Sequence, residues 1–271
     1  MKYKREFLRQ VRSYPDNLKK YRLGDTVVGE SVWWRNSIHP YSLNFAAWIS
    51  PTIDLNYQTQ TFTQILDFLQ KRAKNQGLTT LITKDYAPQL LFNSLAQAAN
   101  FALVRTTVQP QLLLASLELT NLTIPEGFEI ISYSDLKKRP TAFAALAKLN
   151  YHDYQISHIL NPVAKIGLTE WERTIYNAVL PEAPIALIKD QQFLAYCFLF
   201  EDEPGTLTLG WMGAIEPEYL DILQNIQLDW AKGKYQQLAG EFDSTDQLAM
   251  HCYQRFPFEL CPVYETYKKE I

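Results

Sequence analysis

One order of elements can be read twice along this chain of 271 residues. In the second half, TLTLGWMG is followed by Pro217, an amphipathic stretch, Gly233, the short segment QLAGEF, a second amphipathic stretch and Pro257-Phe258. In the first half, LNFAAWI is followed by Pro51, an amphipathic stretch, Gly77, LTTLIT, another amphipathic stretch and Asn100-Phe101. Each run reads as strand, turn, helix, strand, helix. A repeat of this kind restricts the chain to two related units. Strands alternating with helices make each unit α/β.

The helices are read from spacing. Leu220, Leu223, Ile226, Leu228, Trp230 and Ala231 recur at a mostly 3.6-residue period, and Gly233 stops the helix they define. Phe62, Ile65, Leu66, Phe68, Leu69 and Ala73 do the same ahead of Gly77. Asn100 stands where a glycine would end the next helix, because Asn tolerates left-handed backbone. Residues 1 to 22 predict one or two short basic helices broken at Pro15. Thr26–Trp34 and Leu43–Ile49 predict a hairpin, and residues 102–119 two strands around Pro110.

The turn-rich TNLTIPEG marks a boundary, giving domains 1–119 and 120–271. The second domain adds a strand at Phe128–Ser132, helices at Pro140–Tyr151 and Glu170–Val179, and strands in IALI, FLAYCFLF and TLTLGWMG. Too few residues precede Leu43 for the first domain to hold all of these, so the first copy reads as truncated.

Asp246, Ala249, Tyr253 and Pro257-Phe258 keep the spacing of a motif that runs Asn, Ala, Tyr, Gly-Phe. With the element order and WAKGKYQQLAGEF before it, this resembles the acyl-CoA half of the GNAT-type N-acetyltransferase superfamily. The resemblance implies an α/β tandem GNAT-like fold, mixed central sheets flanked by helices. It implies acetyl-CoA as acyl donor and an amine of a small molecule or peptide as acceptor. Tyr253 would then protonate the departing thiolate, and Glu241 would relay a proton from the amine. Trp211, Met212, Gly213, Ala214 and Ile215 would pair main chain with the pantetheine arm as an added strand does. Tyr151, Asp153, Tyr154 and Tyr196 would line the acceptor pocket.

The sequence departs from the family at the loop that should cradle the pyrophosphate. That loop needs glycines, because backbone N–H groups must approach phosphate oxygens closely. No glycine lies between Gly213 and Gly233, and Glu216, Glu218 and Asp221 put negative charge there. The first copy has no glycine between Gly29 and Gly77, and Ala96 stands where the second has Tyr253. The alternative reading is therefore a non-catalytic GNAT-fold binding protein that has lost pyrophosphate binding.

A net charge of −3 argues against nucleic acid as partner. Three cysteines without a pairing motif predict free thiols in a reducing compartment. The charged N-terminus and the absence of a long apolar run predict a cytoplasmic protein away from membranes. His152, Asp153 and His158 are close in sequence, but successive helix positions diverge by about 100°. With no third ligand at matching spacing, a metal is not expected.

Overall fold

The computed structural model describes residues 3–87, 90–117 and 124–271. The boundary drawn at 119/120 lies outside the described residues. In chain order the elements are α1 (Tyr3–Ser13), β1 (Leu18–Leu23), β2 (Thr26–Arg35), β3 (Leu43–Ile49), α2 (Leu55–Asn75), β4 (Thr80–Tyr86), α3 (Leu90–Ala98), β5 (Ala102–Val108) and β6 (Gln111–Leu113). There follow β7 (Phe128–Ser132), α4 (Tyr133–Lys137), α5 (Pro140–Ser157), α6 (Leu168–Ile175), β8 (Pro184–Lys189), β9 (Gln192–Glu203) and β10 (Thr206–Ala214). The chain closes with α7 (Pro217–Ala231), β11 (Gln237–Gly240), β12 (Phe242–Asp243), α8 (Gln247–Arg255) and β13 (Val263–Glu270). No helix among the described residues is long and apolar enough to cross a membrane.

The chain divides into two compact units. The first comprises Met1–Thr107, His158–Ala164 and Pro262–Ile271. Its strands run β1-β2-β3-β4-β13-β5. Leu43, Phe45 and Ala47 of β3 pack with Phe62, Ile65 and Leu69 of α2 and Phe92 of α3 as one apolar core. On the opposite face Phe7 of α1 is buried against Val32 and Ala46. β3 and β4 are parallel and paired only over Leu43–Phe45 and Leu81–Thr83; beyond Phe45 the two strands part.

The second unit comprises Val108–Ser157 and Lys165–Cys261, with strand order β6-β11-β10-β9-β8-β7. β7 to β10 are antiparallel neighbours, whereas β10 and β11 are parallel. Mixed sheets of this kind, with α7 following β10 as a crossover, are the α/β arrangement expected from the repeated order.

Several expectations are corrected. Residues 18–22 fall in the stretch expected to be helical, yet Leu18–Leu23 is strand β1, paired antiparallel with β2. Only Tyr21 of it is buried, so its polar composition carries no strand alternation. The apolar spacing predicts a helix over Thr61–Asn75; helix α2 begins six residues earlier, at Leu55, because Asp54 caps it by accepting from Tyr57 N at 3.0 Å. Residues 102–119 were expected to give neighbouring strands of one domain; instead β6 pairs antiparallel with β11 in the sheet of the second unit. The last strand, β13, had no expectation at all, and it inserts between β4 and β5 of the first unit.

Candidate functional site

The second unit opens where β10 and β11 diverge. Their parallel pairing covers Thr206–Leu209 and Gln237–Gly240, then stops. From Gly210 onward β10 is paired only with β9, and an extra residue between Leu209 and Met212 makes a bulge there. Gly210 permits the bulge: a Cβ at that position would meet the Phe200 ring at 2.2 and 2.8 Å. Main chain of Trp211–Ala214 thus forms one arm of a V without a β11 partner. It is the geometry that receives an extended arm as an added strand.

Around this V the second unit gathers side chains from α5, α6, β9, β10 and α8. Trp171 Nε1 donates to Asn150 Oδ1 at 3.0 Å. Asn150 Nδ2 donates to the Tyr196 hydroxyl at 3.3 Å, and Tyr196 donates to Asp153 Oδ2 at 2.8 Å. Trp171, Tyr196 and Asn150 are fully buried. Asp153 sits against the β10 arm, since a Cβ on Gly213 would lie 2.6 Å from its Oδ2 and 2.4 Å from the Tyr196 ring. Tyr154 stacks on Trp211 at 5.0 Å, and Trp171 meets Trp211 edge-on at 5.0 Å. Tyr151 packs on Trp171 at 4.9 Å and accepts from Ile166 N at 3.2 Å.

Helix α8 packs against β10 and β12. Its N-cap, Asp246, accepts from Leu248 N and Ala249 N at 3.0 Å through Oδ1. Burial raises the carboxyl of Asp246 above the ordinary Asp value, with its two backbone bonds opposing. Burial also raises Asp153; the Tyr196 bond opposes this, and the charge of Asp246 adds to it. Tyr253, one face of α8 further on, stacks with Phe258 at 6.0 Å and lies 5.7 Å from the Phe242 ring. It therefore stands on the β11–β12 side of the V. Its hydroxyl bonds to no described residue. Glu241, between β11 and β12, is exposed and accepts from Gln109 at 2.6 Å.

So Asp153, Tyr154, Tyr196, Trp211 and Gly213 come together, and Tyr151 joins them through Trp171. Met212 and Ala214 lie on the same arm, half-buried, while Ile215 follows it and is exposed. The sequence reading missed Asn150, Trp171 and the carboxylate of Asp246. Only Asp246 left a trace, as an acid at a position where the family motif carries Asn.

The loop after β10 is the poorest part of the site for a nucleotide diphosphate. Two residues, Ile215 and Glu216, join β10 to α7. Ile215 N is used by Leu194 O, Pro217 has no N–H, and the first turn carries Glu218. Two carboxylates at a helix N-terminus replace the positive potential a phosphate needs. In the first unit the corresponding loop is closed by its own residues. Gln58 Nε2 donates to Ile53 O at 2.9 Å, and Ser50 Oγ lies 2.8 Å from Thr52 Oγ1.

No protein-family model matches the sequence, and no curated protein matches it. Solved structures do match in fold. A GCN5-related N-acetyltransferase from Sphaerobacter thermophilus superposes with a TM-score of 0.60 at 13% identity, over 91% of this chain and 78% of that one. This is a GNAT-type fold. A tandem GNAT protein from the clavulanic acid biosynthesis pathway matches with a TM-score of 0.56 at 9% identity, over 97% of this chain and 86% of that one. β10 is the strand that parts from its neighbour, α7 follows it directly, and α8 carries the spaced Asp246, Ala249 and Tyr253. The first unit holds the GNAT order from β1 through β5 without the two helices that precede the corresponding strands in the second.

Proposed function

We propose that the second unit transfers an acyl group from a thioester on a pantetheine-like arm to an amine of a small molecule or peptide. The parting of β10 from β11 carries this reading, because its unpaired main chain is what such an arm pairs with. Tyr253, on α8 beside Phe242 and Phe258, would protonate the departing thiolate. Acetyl-CoA fits the site in part: the splayed strand suits its pantetheine arm, and the two-residue loop does not suit its diphosphate. Glu241, exposed and held by Gln109, would have to act through water. The first unit is an unsuitable host, since Phe7 of α1 covers Ala46 on the parted segment of β3.

The missing cradle favours a second reading, a GNAT-fold binding protein without turnover. The two separate on release of free thiol from S-acetylpantetheine in the presence of an amine. Amine-dependent release supports transfer, and binding without release supports the second reading.

A further inference from the structure

The hydrogen-bonded chain from Trp171 to Asp153 has only one polarity. An indole N–H can only donate, so Asn150 accepts with Oδ1 and donates with Nδ2. Tyr196 therefore receives at its oxygen and gives its proton to Asp153 Oδ2. All three relay members are buried, so the last carboxylate is fixed in place, against the backbone of Gly213. Its other oxygen, Oδ1, makes no hydrogen bond to a described residue. Asp246 is arranged similarly: Oδ1 caps α8, and Oδ2 has no such bond.

From this geometry we infer that Asp153 is the group that takes the proton of the incoming amine, and that Tyr196, Asn150 and Trp171 position it. The inference rests on the acyltransferase reading above. The acceptor enters as an ammonium, drawn by the charges of Asp153 and Asp246. It gives one proton to Asp153 and becomes a nucleophile. The nitrogen attacks the acyl carbon, the C–N bond forms and the C–S bond breaks. The thiolate takes the proton of Tyr253, and the second proton from nitrogen restores the tyrosine. Ammonium, thioester and carboxylate thus give amide, thiol and carboxylic acid, and Asp153 returns its proton to solvent.

A base for this step works best when its pKa lies toward the working pH, above that of an ordinary exposed carboxylate. Three titratable groups act on Asp153. Tyr196 from β9 favours the ionised form, His152 beside it on α5 does so when protonated, and Asp246 from α8 opposes it. Burial is larger than any of these and raises the carboxyl. A buried carboxylate raised in this way weakens the fold at neutral pH, which is a cost found where chemistry requires it.

Carboxyl ¹³C titration of the full chain reads this directly, without a ligand. Asp153 is expected to titrate above the ordinary Asp value, lower in Asp246→Asn, and higher in Tyr196→Phe. Asn caps a helix as well as Asp, so Asp246→Asn leaves α8 intact. An Asp153 that titrates in the ordinary range and ignores both substitutions overturns the inference. With S-acetylpantetheine and benzylamine, Asp153→Asn should lower thiol release about 10²- to 10⁴-fold and remove the rise of rate with pH. Wild-type release matched by Asp153→Asn overturns the role of Asp153 alone. No release by the wild type overturns it together with the acyltransferase reading.

Discussion

Gly213→Ala probes the seat of Asp153 without replacing any polar side chain. The added Cβ would lie 2.4 and 2.6 Å from two Tyr196 ring carbons and 2.6 Å from Asp153 Oδ2. Ordinary carbon contacts need about 3.5 Å, so both neighbours must retreat by roughly 1 Å. Tyr196 is only 1% exposed and is held at its hydroxyl by Asn150, so it has nowhere to go. Overpacking of this kind costs about 1–3 kcal/mol. Displacing Asp153 from Tyr196 removes a hydrogen bond to a charged group, another ~1.5–3 kcal/mol. The expected loss is therefore about 2.5–6 kcal/mol. Urea unfolding followed by tryptophan fluorescence measures it, since Trp171 and Trp211 lie beside the substitution. A change below about 0.5 kcal/mol, the size of an ordinary surface substitution, would refute the packing argument.

Tyr253→Phe should lower amine-dependent thiol release about 10²- to 10⁴-fold while leaving donor affinity nearly unchanged, as steady-state kinetics will show. Phe7→Ala should destabilise the first unit by about 3–5 kcal/mol, read by calorimetry, because it empties the contact with Val32 and Ala46. Native protein should react with a thiol reagent at Cys261 alone. Burial pushes Cys252 up to about 12 and Cys197 higher still, so these two react only after unfolding. Asp246→Asn should gain stability relative to wild type as pH rises. A carboxyl raised by folding binds more protons folded than unfolded, so its contribution falls above the unfolded Asp pKa of about 3.9. Equal pH profiles of melting temperature for the two proteins would contradict that linkage.

Much of the fold was legible because it is periodic. Helices α7 and α8 declared themselves by spacing and by their ends, and Gly233 and Asn100 do adopt left-handed backbone, at φ +74° and +61°. What could not be read was partnership at long range. The paired residues of β6 and β11 are over a hundred positions apart, and nothing in QLL or VYETYKKE names a distant sheet. The site divides in the same way. Asp153 and Tyr154 stood out as polar and aromatic residues in one short cluster. Asn150 lies one helical turn earlier and 46 residues from Tyr196, and no local pattern links an amide to a tyrosine across two elements. Asp246 was visible only as a departure from a motif, and its meaning needed the burial that the fold supplies.

The central claim is that the parted strands of the second unit take a thioester-bearing arm without gripping a nucleotide diphosphate. Comparing S-acetylpantetheine with acetyl-CoA as donors in one amine-dependent thiol-release assay tests it most directly. The account predicts release from both, with KM values within about tenfold, a gap under about 1.4 kcal/mol. Release from acetyl-CoA with a KM lower by about a hundredfold or more would show that the diphosphate is held, and release from neither would contradict transfer itself.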